Sequence, residues 1–87
     1  MPYKIREFQE TPNPNALKCV VDRKLAEKPR SYFKAADAVG DPVAAALFAI
    51  PGVTNILINA DWVTVSKRPD ADWKAIKRGV ERVMNEA

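Results

Sequence analysis

Val53-Thr54-Asn55-Ile56-Leu57-Ile58-Asn59-Ala60-Asp61-Trp62-Val63-Thr64-Val65-Ser66-Lys67 is the stretch whose reading decides the fold. Val53 to Asn59 is rich in β-branched and apolar residues, the composition of a strand packed on at least one side. Asn59-Ala60-Asp61 reads as a tight turn. Trp62 to Lys67 then alternates, with Val63 and Val65 on one face and Trp62, Thr64 and Ser66 on the other. Two such runs around a short polar turn make a hairpin, and its apolar face needs a cover. The segment Asp70 to Ala87 can supply one. Trp73, Ile76, Val80, Val83 and Ala87 recur at helical spacing, and Met84 widens the stripe. Asp70 or Asp72 at its start places negative charge at the positive end of the helix dipole. Gly79 costs about 1 kcal/mol of helix propensity relative to Ala, which points to a close crossing over the sheet.

Working toward the N-terminus, Asp41-Pro42 is a second helix start, with Asp as N-cap and Pro at the first helical position. Val43, Leu47 and Ile50 follow on one helical face, and Pro51-Gly52 ends the element. Tyr3 to Phe8 reads as a strand whose alternation fails at Glu7-Phe8, the mark of a bulge or a strand end. Ala16 to Val21 is the next strand, with Leu17, Cys19 and Val21 inward, and it pairs with the first across a long loop. Asp22 to Arg30 is expected to be a loop with one short turn, Ser31 to Phe33 a short edge strand, and Ala35 to Gly40 irregular. The order strand, strand, (short strand), helix, strand, strand, helix gives an α+β two-layer sandwich. Its sheet is mainly antiparallel, with two helices on one face.

Eighty-seven residues make a single domain, 1–87. No apolar run approaches the roughly 20 residues of a membrane span. Met1-Pro2-Tyr3-Lys4-Ile5-Arg6 lacks the apolar core of a signal peptide, so the expected location is cytoplasmic. There is no histidine and one cysteine, which removes the commonest general base and any internal disulfide. With no nucleophile–base constellation visible, the reading is non-enzymatic. The net charge of +3 is uneven: residues 1–34 carry +4, residues 35–66 carry −3 and residues 67–87 carry +2. Such a dipole can steer a partner, and it disfavours a uniformly basic nucleic-acid face.

Candidate site residues cluster at Thr11-Pro12-Asn13-Pro14-Asn15-Ala16-Leu17-Lys18. The prolines hold Thr11 and Asn13 in extended geometry, and Asn13 and Asn15 can bond nearby backbone. A stiff connector results, which is either a rigid hairpin loop or a preorganised contact surface presenting Thr11, Asn13, Asn15 and Lys18 to a partner. Lys67 and Arg68, with Lys74, Lys77 and Arg78, form a basic patch that is either a solvated helix face or a site for an acidic protein surface. Trp62 is either an exposed anchor or core; Trp73 is core. The aspartates at 37, 41, 61, 70 and 72 sit at turns and caps. Cys19, between two inward apolar residues, reads as packing. It becomes a metal ligand only if two chains each contribute one in a dimer.

The connector, the stretch Pro42–Val53 and the strand Trp62–Lys67 together resemble the N-terminal domain of the Nfu/NifU-like iron–sulfur cluster scaffold proteins, over nearly the whole chain. In that family this domain usually precedes a second one, whose Cys-x-x-Cys holds a cluster shared between two subunits for delivery to target proteins. The present sequence contains no Cys-x-x-Cys and is read as a stand-alone, non-ligating part. The resemblance therefore implies an accessory or recognition role in cluster assembly or delivery, with assembly or client proteins as partners, a weak homodimer allowed, and no cofactor bound by this domain alone. Leu47 to Val65 is also similar to the later half of small ferredoxin-like metal-chaperone domains. Those carry a Cys-x-x-Cys in the first loop, where this chain has Thr-Pro-Asn-Pro-Asn. The alternative function is a small metal- or ligand-binding protein using Cys19 in a dimer.

Overall fold

The computed structural model describes residues 3–86; Met1, Pro2 and Ala87 lie outside the described residues. The elements are β1 (Ile5–Glu10), β2 (Ala16–Val21), β3 (Ala26–Tyr32), a 3-10 turn (Ala35–Ala38), α1 (Pro42–Phe48), β4 (Val53–Ala60), β5 (Trp62–Lys67) and α2 (Trp73–Glu86). The strands form one antiparallel sheet in the order β1-β2-β5-β4-β3. The inward rows of β2, β4 and β5 pack with Leu47 of α1 and with Ile76, Val80 and Met84 of α2 in a single apolar core. The expected α+β two-layer sandwich, with its helices on one face, is the observed architecture.

The deciding hairpin forms as read. Asn59 pairs with Trp62, and Ala60 takes the turn at φ 50, a left-handed geometry that costs a residue with a Cβ roughly 1–2 kcal/mol. The chain then uses that turn as a post. Val21 donates its N–H to the Asp61 carbonyl and Leu25 donates to the Ala60 carbonyl, so the link from β2 to β3 wraps the hairpin tip. α1 closes earlier than read, at Phe48 with Ala49 as its C-cap, so Ile50 and Pro51-Gly52 belong to the turn that leads into β4. Gly52 takes that turn at φ 94, and a Cβ there would lie 2.6 Å from that of Ala71.

Three further boundaries differ from the sequence reading. β1 runs to Glu10, with its register shift between Ile5 and Glu7, while Tyr3 leaves the sheet and donates to the Met84 carbonyl of α2. α2 begins at Trp73, with the Asp72 carboxylate accepting from the Lys74 N–H; Asp70 lies outside and pairs with Arg68. The larger correction is β3. Residues 26–30, expected to be loop, belong to a strand of seven residues that forms the sheet edge beside β4. An edge strand tolerates Pro29 and a run of charge because only one side of its backbone is paired. A register shift between Ala26 and Arg30 accommodates the proline.

Asp41 ties this edge to the helix layer. Its Oδ1 accepts the Ala44 N–H, capping α1, and its Oδ2 accepts from Arg30 Nη1 and from the Tyr32 hydroxyl, both at 2.9 Å. The carboxylate is nearly buried and fully bonded. Asp41→Ala should cost about 2 kcal/mol in urea unfolding, combining a lost cap with orphaned partners. Asp41→Asn, which keeps a capping oxygen, should cost roughly half as much. Equal losses would show that the cap contributes little and the ion pair dominates.

Candidate functional site

The connector between β1 and β2 is held from within. The Asn15 N–H donates to Asn13 Oδ1 at 2.9 Å, and the Ala16 N–H donates to the Asn13 carbonyl. The Thr11 hydroxyl lies 2.9 Å from the carbonyl oxygens of both Asn13 and Ala16, and its single proton serves one of them at a time. It also accepts the Asn13 N–H at 3.2 Å.

Two side chains from the far end of the sequence then fasten the loop to the body. Lys67, at the end of β5, is only 9% exposed. Its Nζ reaches Asn15 Oδ1 at 3.2 Å and the carbonyls of Arg68 and Pro69 at 3.2 and 3.4 Å, one acceptor for each ammonium proton. It also stands 5.5 Å from the centroid of the Trp73 ring. Trp73, the first residue of α2, donates its indole N–H to the Pro14 carbonyl at 3.0 Å. Pro12, Asn13 and Pro14 are left exposed as a ridge. Beneath the ridge is a hollow of ≈ 290 Å³, with Trp73 and Lys77 in its wall.

The candidate residues therefore divide. Thr11, Asn13, Asn15 and Lys67 converge: the Thr11 hydroxyl, the Oδ1 atoms of Asn13 and Asn15 and the Lys67 ammonium bond the loop and the turn after β5, while Asn13 itself stays exposed. Lys67 accordingly leaves the expected surface patch: alternation turns the side chain inward, and its ammonium meets carbonyls and a ring face in place of water. Lys18 projects from the uncovered sheet face, with Nζ 4.8 Å from the Trp62 ring centroid. That places Trp62 outside rather than in the core. Arg68 is exposed beside Asp70. Lys77 turns back over the Phe8 ring at 5.4 Å. Sequence reasoning took Trp73 only as core and missed its donor. The one signal was a tryptophan at a helix start, with no way to see which carbonyl lay opposite.

Cys19 is fully buried, its Sγ 4.0 Å from the Leu17 carbonyl oxygen. Burial pushes its thiol up to about 12, against a smaller opposite pull from the Lys77 ammonium. Clusters are held by several thiolates. A lone protonated thiol inside the core does not fit one. Among the described residues no group of three or more His, Cys, Asp or Glu could hold a metal ion.

These features define a small α+β domain with one bare sheet face and a rigid loop locked to its last helix. The chain matches the family described as Scaffold protein Nfu/NifU N terminal over residues 5–87, and it belongs to that family. Over 80 residues it is 36% identical to the NFU1 iron-sulfur cluster scaffold homolog, mitochondrial, of Drosophila erecta, which covers 90% of this chain and 28% of that protein. NifU-like protein 5, mitochondrial, of Arabidopsis thaliana is 36% identical over 83 residues, covering 90% and 29%. The chain thus spans under a third of the length of these curated relatives. The crystal structure of protein SAV1430 from Staphylococcus aureus superposes with TM-score 0.79 at 28% identity, over 92% of this chain and 96% of that one. A NifU-like protein from Saccharomyces cerevisiae shares the fold, with TM-score 0.80 at 24% identity over 95% and 77%. Both curated relatives are named mitochondrial, which differs from the cytoplasmic location expected above. Among the described residues no helix is long and apolar enough to cross a membrane.

Two measurements probe this site. Lys67→Met keeps the apolar stem and leaves three acceptors without their donor, so it should lower stability by about 1–3 kcal/mol and speed amide exchange at Asn15 and Ala16. Unchanged exchange there would show that the loop is stiff without the lysine. For Cys19, the unfolded chain loses its thiol proton above about pH 9 while the folded chain keeps it to about 12. This group therefore lowers stability as pH rises through that window, by up to about 1.4 kcal/mol per pH unit. Wild type should lose about 2 kcal/mol relative to Cys19→Val between about pH 8 and pH 10.5, and parallel curves would mean an unshifted thiol.

Proposed function

We propose that this chain is a non-catalytic recognition domain in iron–sulfur cluster assembly or delivery, acting by contact with assembly or client proteins. The observation that carries the reading is the connector. An exposed Pro12-Asn13-Pro14 ridge is fixed by Lys67 and Trp73, and among the described residues no set of three or more His, Cys, Asp or Glu ligands stands beside it. Preorganisation of this kind lowers the entropy lost on association, which is what a contact surface needs and a cluster cradle does not. The family's scaffold name and the named cluster scaffolds among its relatives support the pathway. Arg68, next to Lys67 in the chain and exposed, is a charge available for orienting a partner; Lys18 lies away from the ridge, over Trp62 on the uncovered sheet face. By analogy with the relatives' names, the domain is read as acting in the mitochondrion.

The test is anaerobic capture from an extract of the encoding organism, with wild type and Pro12→Arg/Arg68→Glu as baits. Wild type should enrich cluster-assembly or cluster-bearing proteins, and the variant should lose them by about tenfold. Failure to recover any such protein sinks the proposal. Incubation with ferrous iron and sulfide under the same conditions provides the counter-test. Iron bound at about one cluster per two chains, and lost in Cys19→Ser, would replace this reading with a dimeric carrier.

A further inference from the structure

The outer seam between α1 and α2 carries a feature that the connector does not explain. Ala75, Gly79 and Val83 repeat at i, i+4, i+8 along α2. With Ala46 of α1 and Ala49, its C-cap, they floor an apolar hollow of ≈ 450 Å³. The turn after α1 closes on α2 beneath it: a Cβ on Gly79 would lie 2.9 Å from Ile50 Cγ1. One row over, Lys74, Arg78 and Arg82 repeat at the same spacing, all exposed. Among the described residues none of the three has a carboxylate within ion-pair distance. Arg78 and Arg82 form the rim of the hollow, and no Asp or Glu lines it.

We infer that this seam receives an acidic amphipathic helix from a partner protein, laid along α2. The inference rests on the proposed role in protein contact and names the chemistry of the partner. A small-residue floor lets an incoming backbone approach closely, and apolar anchors at i, i+3, i+4 and i+7 fill such a groove. The cations recur about every 6 Å along α2, the same interval at which carboxylates recur at i, i+4 on a facing helix. A guanidinium suits that pairing because its fork meets a carboxylate through two donors. An apolar floor flanked by a single row of charge suits a helix better than a nucleic-acid backbone, which rewards charge on both sides of a groove.

The probe is a synthetic stapled helix of about 16 residues, long enough to hold its shape, with Leu and Ala on one face and Glu along its flanks. It is titrated into the isotopically labelled full chain. A scrambled peptide of the same composition and a duplex DNA of about 20 base pairs serve as controls for plain charge. The patterned helix should bind in the micromolar range, shift the amides of Ala46, Ala49, Ala75 and Gly79, and bind about tenfold tighter than the scrambled peptide. Ala75→Trp, filling the floor from an exposed position, and Arg78→Glu/Arg82→Glu should each weaken it about tenfold with unchanged melting; Ala49→Glu replaces the tryptophan variant if that one misfolds. Equal binding by scrambled peptide or DNA, shifts confined to residues 12–15, or no binding at all would overturn the inference. Ala75→Trp bait that still captures cluster proteins would also overturn it while leaving the proposed function standing. An empty wild-type capture alongside intact patterned-helix binding would support the seam and strike the proposed function instead.

Discussion

A buried ammonium without a carboxylate is the constraint on which the candidate site depends. Moving a charge out of water is costly unless its hydrogen bonds are replaced. Lys67 replaces all of them, with one side-chain amide oxygen, two backbone carbonyls and the face of Trp73. Those acceptors come from the connector and from the turn that starts α2, so satisfying the charge fixes both segments at once. The backbone reinforces the link: the Lys67 N–H donates to the Asn15 carbonyl at 2.8 Å. Since Trp73 also donates to Pro14, the loop is bound to strand and helix by separate side chains. A carboxylate partner would have neutralised the lysine with one contact and left the loop free.

Where the residues themselves impose geometry, the sequence was legible. Asp41-Pro42 caps α1 as read, and Val63 and Val65 face the core opposite Thr64 and Ser66. The stripe Ile76, Val80, Met84 is the buried face of α2. These features follow from local periods of two and 3.6 residues. β3 was not legible because its strand character comes from its neighbour. Glu27, Lys28 and Pro29 have little intrinsic preference for a strand, and pairing with β4, together with Arg30 and Tyr32 meeting Asp41, supplies what propensity lacks. The stiffness of the connector was visible in its prolines. The direction of its polar atoms was not, because it depends on residues 52 and 59 positions away.

The same distinction separates contact chemistry from cluster chemistry. Alternation along β2 puts Cys19 on the inward face, between Leu17 and Val21, and the core then closes over it. Burial that stabilises the fold also keeps the thiol protonated, which deprives it of the thiolate character a cluster ligand requires. Cys19 is thus accounted for by packing, as its place in the alternation of β2 requires.

Charge counted along the chain does not give the field at its surface. Of the acidic middle segment, Asp41 is buried against Arg30 and adds little outward potential. Among the basic ends, Lys18, Lys67 and Lys77 each rest over an aromatic ring, which holds the charge in place and shares it with a π face. The exposed row on α2 is different, since Lys74, Arg78 and Arg82 project side by side with no carboxylate paired to them among the described residues. Three like charges one helical turn apart repel mildly, a cost that α2 bears in isolation and that an acidic neighbour would turn into attraction. These three side chains thus place a row of positive charge beside the helix seam, on the layer opposite the bare sheet face, where it would help steer an acidic partner.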